Sequence, residues 1–439
     1  MSIAQQAPVS LRESSRHESI RILYISVLFA PQRTAEAFCS AKFAKALLRS
    51  GADVTVMRYP GMTWEADESS EWQPLEEKVV KLPLASNKRS FQSLQMACRY
   101  RAPNYARWVG NVVREAAQLH RTRHFDLVYS RSLPMASHVA GYWCAKELNL
   151  PWIANVNDPW DLHLIPGAPL KVSWSEACLS SYWMKKSFRF ADLITYPSER
   201  LRDYHVAVSG VKHESLVVPH VGRRSAARAR VVLGGPEAKF NLVHAGKLGT
   251  NEILNRSTTA LLQGLRAFLD DCPDARDITQ LTLVGPSDAE TERLARELQL
   301  DSVIHRVGSV DYEKSLEYVA AASVCVLVEC QMDEGIYFPS KLVDYLSARR
   351  PVLALSPRVG VVADLAANGG ITRVDNGDAD AVRNALAVFY SSFRNGSLDR
   401  HAPPEELARA FSPEVTAQQF LDAASKLIQS RCHKETGSR

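Results

Sequence analysis

The sequence predicts an α/β protein made of two tandem doubly wound domains facing a central cleft. Three observations carry this. The chain has 439 residues, too many for one ordinary core. Short apolar, β-branched runs alternate with stretches of helical periodicity, the rhythm of a parallel sheet with crossover helices. That rhythm runs through residues 20–220, breaks off, and restarts at residue 238.

The elements follow in order. Residues 1–19 are polar and read as a flexible tail. Arg21–Phe29 is a strand ended by Pro31, and about Ala35–Ser50 is a helix with Phe43, Ala44, Leu47 and Leu48 at helical spacing. Gly51 stops it, and Ala52–Arg58 is the next strand. Phe125–Ser130, Pro151–Val156, Leu193–Tyr196 and Ser215–Pro219 continue the strands, with helices over Met135–Leu148 and Trp174–Phe190. Residues 221–237, rich in Arg, Ala and Gly, read as a linker. The second domain, 238–412, has strands at Phe240–His244, Leu281–Val284, Val303–Val307, Val324–Val328 and Val352–Leu355. Its helices are Thr258–Leu269, Ala289–Leu298, Tyr312–Ala321, Ser340–Ala348 and Asp380–Tyr390. A last amphipathic helix, Pro413–Gln429 within residues 413–430, is expected to pack back on the first domain.

Composition excludes several classes. The chain is 46% hydrophobic and 23% charged, ordinary for a globular protein and not for a disordered one. Residues 1–215 hold 27 Lys and Arg against 20 Asp and Glu, while the remainder holds 26 against 28. All eight Trp fall in the first half, so the halves present different surfaces. A net charge of +5 is too small to argue for nucleic acid, and none is expected as a partner. The eight Cys are scattered with no zinc-type spacing, so free thiols in a reducing compartment and no metal site are expected. No signal peptide is visible, and no run approaches the ~18–20 apolar residues of a membrane span.

The most informative stretch runs from Glu334 to Ala354. Pro339 stands just before a helix start, Ser340 is read as its N-cap, and Lys341 follows. A helix N-terminus beside a Lys is suited to an anion such as a diphosphate. Asp344 falls four residues after Ser340 on the same helix face, where a carboxylate can accept two ribose hydroxyls. Glu334, on the preceding loop, can reach sugar hydroxyls. Lys341 and Lys247 are both expected to be exposed.

This stretch resembles the donor-site signature of the family 4 glycosyltransferases of GT-B fold. Pro339-Ser340-Lys341-Leu342-Val343-Asp344-Tyr345-Leu346 is similar to the family's Pro-Ser-Lys-Leu-x-Glu-Tyr-Leu. The second acid is Asp instead of Glu, and the gap from Glu334 is longer than usual. The resemblance implies that Gly246-Lys247, after the first strand of the second domain, grips the diphosphate, with Arg256 as the second base. It also implies a retaining transfer from a nucleotide sugar, UDP- or GDP-linked or similar, with no further cofactor and no metal. The loop Pro31-Gln32-Arg33-Thr34 stands where many members have Gly-Gly, and Arg33 is a substitute for its N–H groups. Asn157 stands where many have His, within Asn157-Asp158-Pro159-Trp160, and Asp158 is assigned to the acceptor hydroxyl or the sugar. Arg131-Ser132 is expected to point into the cleft. The acceptor implied is a glycan or lipid-linked sugar of bacterial cell-surface biosynthesis. Two other functions share the fold and stay open: a nucleotide-sugar epimerase and a non-catalytic nucleotide-sugar-binding or assembly protein.

Residues 81–124 hold nine Lys and Arg and one acid, Glu115. Tyr105, Trp108, Val109, Val112, Val113, Ala116 and Leu119 recur at helical spacing, and Arg107, Arg114 and Arg121 repeat every seven residues. A basic amphipathic helix of this kind suits an anionic lipid surface, and an apolar face like this also suits packing on the domain's own sheet. The expected location is cytoplasmic, peripheral on the cytoplasmic face of the inner membrane.

Overall fold

A computed structural model describes residues 19–60, 65–83, 91–100, 105–160, 173–223, 239–249 and 255–436. The tail 1–18, most of the linker 221–237, and Lys88, Arg89 and Arg101 of the basic stretch lie outside them. The chain forms two compact units. The first holds the described residues from 19 to 160, those from 173 to 221, and the helix Pro413–Thr436; the second holds those from 222 to 412.

The first unit has a sheet of six parallel strands: β1 (Arg21–Ser26), β2 (Asp53–Arg58), β3 (Leu127–Arg131), β4 (Trp152–Asn155), β5 (Leu193–Tyr196) and β6 (Ser215–Val217), in the order β2-β1-β3-β4-β5-β6. β1 and β3 are the neighbours at which the winding direction reverses. Ile22, Tyr24, Val128 and Ile153 are fully buried, as strands covered by helices on both faces must be. Thr34 starts the helix Ala35–Arg49 by accepting the Ala37 N–H, and Ser50 closes it. The helix Pro413–Thr436 puts Phe420 edge-on against Phe43 and Tyr129, with ring centroids 5.2 and 5.0 Å away.

The helix Ala106–Arg123 shows what its apolar face is for. Trp108, Val109, Val112, Val113 and Ala116 lie in the first unit's core with Val139 and Ala140 of the helix Ala136–Leu148. Its Gly110 meets Tyr100 and Met96 of the helix Phe91–Tyr100 so closely that an added Cβ would stand 3.2 Å from the Tyr100 ring. That face is therefore core, and the charged side remains outside: Arg114 and Arg121 are exposed and Arg107 is half-buried.

The second unit repeats the plan with β7 (Phe240–Ala245), β8 (Thr279–Val284), β9 (Ile304–Gly308), β10 (Val324–Val328), β12 (Val352–Leu355) and β14 (Ile371–Val374), ordered β14-β12-β10-β7-β8-β9 and parallel throughout. A separate two-residue pair joins β11 (Glu334–Gly335) to β13 (Val359–Gly360). Successive strand residues serve opposite faces: Leu242, Val326 and Leu353 enter one core, and Val243, Cys325, Leu327 and Val352 the other. The reversal in strand order falls between β7 and β10. Among the described residues no helix is long and apolar enough to cross a membrane.

Candidate functional site

In an open parallel sheet, ligands bind beyond the carboxyl ends of the strands where the order reverses. In the second unit that place is the end of β7, followed by Gly246-Lys247, and the end of β10, followed by Glu329-Cys330. The helix Ser340–Ser347 brings its N-terminal turn to the same place. Gly246 has φ +106, a conformation open to glycine, and a Cβ there would stand 2.9 Å from the Lys341 Nζ. The Lys341 ammonium thus lies against bare backbone at the end of β7.

Lys341 is half-buried, not exposed as its sequence position suggests, and its Nζ is 3.1 Å from His244 Nε2. Burial, reinforced by the nearby Arg256 guanidinium, lowers its pKa to about 7. Arg256 is fixed through its neighbour: the Gln331 N–H donates to the Asn255 carbonyl at 2.9 Å, and Asn255 Nδ2 donates to Gln331 Oε1. This sets Arg256 beside Glu329 and Cys330. Burial raises the Glu329 carboxyl to about 8 against the pull of Arg256. At neutral pH Glu329 is then mostly uncharged, so the cluster carries cations without a full counter-charge. Lys247 is exposed at the rim, as expected.

One expectation for the helix Ser340–Ser347 needs correction. Pro339 is the N-cap, with no side-chain cap bond, and Ser340 is the first helical residue. The chain is still extended at Pro339 (ψ 111), so helical dihedrals begin one residue later than a Ser cap requires. Asp344 is buried and accepts a hydrogen bond from the Tyr312 hydroxyl at 3.0 Å. Glu334 sits in β11, exposed, and paired through its backbone with Val359. Sequence reading did not single out His244, Glu329 or Tyr312.

The first unit has its own cluster at the β1/β3 reversal. Glu36, in the first turn of the helix Ala35–Arg49, meets Arg131 Nε at 3.0 Å, and Asn157 Nδ2 stands 2.9 Å from both of its carboxylate oxygens. Arg131 is buried, and its guanidinium is committed to this pair. Burial pushes the Glu36 carboxyl up, with Arg131 pulling the other way. Asp158 and His220 face the same carboxyl, and burial lowers His220 to about 4. Arg33 Nη1 meets Glu65 at 3.3 Å, and its Nη2 donates to the Ala66 carbonyl. The Asn157–Trp160 segment is held at its far end by His205. Its Nδ1 bonds to the Leu201 carbonyl, and its Nε2 accepts the Trp160 N–H at 3.0 Å. Glu36, His205 and His220 were not singled out from sequence either.

No group of three His, Cys, Asp or Glu side chains among the described residues could hold a metal ion.

Residues 37–222 match a family described as the glycosyl transferase 4-like domain. No curated protein matches the chain. Three solved structures resemble it over almost its whole length. Sucrose-phosphate synthase from Thermosynechococcus elongatus has 17% identity and a TM-score of 0.62, covering 94% of this chain and 100% of that one. HepE from Anabaena, in complex with UDP, has 17% identity and a TM-score of 0.60, covering 93% and 100%. A glycosyltransferase from Rickettsia africae has 11% identity and a TM-score of 0.64, covering 94% and 99%. At these identities the likenesses establish the fold, and the family match covers residues 37–222. The chain has the GT-B fold, and its residues 37–222 are similar to the glycosyl transferase 4-like domain.

Proposed function

We propose that the chain transfers a sugar, with retention of anomeric configuration, from a nucleotide-sugar donor to an acceptor hydroxyl in bacterial cell-surface glycan or polysaccharide synthesis. The observation that supports this most is the cation cluster at the β7/β10 reversal. Lys341 and Arg256 lie together beside the start of a helix, against backbone that carries no side chain at Gly246. Such a place suits a nucleoside diphosphate.

During transfer the sugar gains oxocarbenium-like character while the nucleoside diphosphate leaves. The main requirement is stabilisation of charge on that leaving group by groups already in position. Lys341, Arg256, Lys247 and the N–H groups of Ser340 and Lys341 take this role, and Gly246 and Pro339 shape the backbone around them. Asp344 accepts from the ribose, and Glu334 holds the sugar hydroxyls. The departing phosphate takes the proton of the incoming hydroxyl on the same face, so no protein nucleophile is needed. Asp158, in the first unit, orients the acceptor, a glycan or lipid-linked sugar. The exposed Arg114 and Arg121 favour a peripheral position on an anionic cytoplasmic leaflet.

The test is a thermal-shift panel of UDP-, GDP-, ADP- and dTDP-sugars, followed by transfer assays with the stabilising donor. A raised melting temperature with one base class, then transfer, is expected. No stabilisation by any nucleotide would sink the reading, and stabilisation without transfer to any acceptor would leave a binding protein.

A further inference from the structure

His244 lies inside β7 and is fully buried, where an apolar side chain would be the ordinary choice. Its two ring nitrogens have different partners. Nδ1 is 3.0 Å from the Val326 carbonyl oxygen. A carbonyl can only accept, so Nδ1 carries the ring hydrogen. Nε2 therefore presents its lone pair, and it faces the Lys341 ammonium at 3.1 Å. The tautomer is thus set by β10 and read out by the helix Ser340–Ser347. Burial and the neighbouring Lys341 both disfavour a second proton on the ring.

We infer that His244 is a positioning residue: from β7 it accepts a hydrogen from Lys341 and so aims that ammonium at the diphosphate of a bound nucleotide. A Lys on a four-carbon stem is otherwise free to rotate away, and holding it in place removes an ordering cost at the moment of binding. Gly246 completes the arrangement, because a Cβ there would meet the Nζ. The inference rests on the reading of Lys341 as a diphosphate ligand, and the experiment separates the two.

Two substitutions divide the ring's functions. His244→Asn leaves an amide donor where Nδ1 stands and nothing where Nε2 stands. His244→Gln extends an amide oxygen towards Lys341 instead. Affinity would be measured by calorimetry for whichever of UDP, GDP, ADP and dTDP binds most tightly. His244→Asn is expected to weaken binding about tenfold, His244→Gln to stay within about threefold, and Lys341→Ala to lose most affinity. In the Lys341→Ala background, His244→Asn should add no further loss. Wild-type affinity in Lys341→Ala, or no nucleotide binding by wild type, would remove the donor-site reading itself. A weakened Lys341→Ala beside an unaffected His244→Asn would remove only the role of His244, as would equal losses in the Asn and Gln variants. If the Asn variant does not fold, nitrogen-15 shifts of the His244 ring in the wild-type protein decide. An unprotonated Nε2 whose shift moves in Lys341→Ala supports the inference, and a protonated Nε2 overturns it.

Discussion

Tyr312 donates its phenolic hydrogen to Asp344 Oδ1 at 3.0 Å, tying the helix Tyr312–Ala320 to the helix that carries the Lys341 cluster. This bond fixes the carboxylate rotamer at the position assigned to the ribose. Asp344→Ala is expected to weaken nucleotide binding more than Asp344→Asn, which keeps the shape and one acceptor. Tyr312→Phe removes the donor and should cost about 1 kcal/mol of stability, with a smaller loss of affinity. Calorimetry with the bound nucleotide and thermal melts check this. Unchanged affinity in Asp344→Ala would take the ribose contact away from this residue.

The Lys341 pKa of about 7 gives donor binding a pH dependence with a definite sign. The groups facing the ammonium are His244 from β7 and Arg256, and Arg256 in turn has Glu329 and Cys330 beyond β10 beside it. A bound diphosphate needs Lys341 protonated. Below pH 7 the proton is already in place, and above it the proton must be taken up on binding. Affinity for a nucleotide sugar, whose esterified diphosphate keeps its charge across this range, should be level below pH 7 and fall from pH 7 to 8.5. Calorimetry in buffers of different ionisation enthalpy should show proton uptake at pH 7.5. Lys341→Arg, which stays charged, should flatten the profile.

Glu36 and Arg131 form a buried pair in the first unit. Glu36→Ala leaves the guanidinium buried without this partner, a loss of about 3–5 kcal/mol. Glu36→Gln keeps volume and an acceptor, and should cost less. Chemical denaturation of the variants measures both. A melt like the wild type for Glu36→Ala would mean that solvent reaches Arg131 freely.

Lys341, Arg256 and Lys247 supply positive charge where the leaving diphosphate is assigned, so transfer should survive EDTA. Abolition by EDTA with rescue by Mg²⁺ or Mn²⁺ would show that these cations do not suffice.

Local chemistry explains which parts of this molecule are legible in its sequence. The strand Val324–Val328 is a continuous apolar run, and it forms over those residues. The helix Trp174–Phe190 opens with Ser173 and Glu176 in a reciprocal cap and likewise matches its reading. The helix Glu199–Ser209 was missed although Ser198 caps it and Gly210 ends it at φ 64, because its buried positions are Leu201, His205 and Ser209, too polar to register as an apolar face. The edge strand Ile371–Val374 was missed because its centre, Thr372 and Arg373, is half-exposed. At the site, Gly246 and Lys341 stand in recognisable local patterns. His244 does not, since a single His in an apolar strand resembles a core position. Glu36 reads as a solvated acid favoured by its helix dipole. Its partners Arg131 and Asn157 lie 95 and 121 residues away in sequence, and no local pattern carries a pairing over that distance.

The membrane prediction follows from which side of the helix Ala106–Arg123 is in use. Trp108, Val109, Val112 and Ala116 are core, so this helix has no apolar face left to insert into lipid. Any attraction to a bilayer must come from its exposed cations, each worth about 1 kcal/mol near an anionic surface and screened within a Debye length of about 8 Å at physiological salt. Arg114, bonded to Asn111 Oδ1 at 2.6 Å, and Arg121 are exposed, and reversing them should spare the core. Arg107 is half-buried and is the poorer choice. Sedimentation with vesicles rich in phosphatidylserine should show binding at low salt that disappears near 0.5 M, a concentration at which screening is about twice as short-ranged as in physiological salt. The double change Arg114→Glu and Arg121→Glu should abolish it while leaving the melting temperature within a few degrees. The emission of Trp108 itself should not shift blue on binding, because that side chain is already out of water. Binding that persists at high salt would point to an apolar contact elsewhere on the chain, and absence of binding at low salt would leave an enzyme that meets its acceptor in solution.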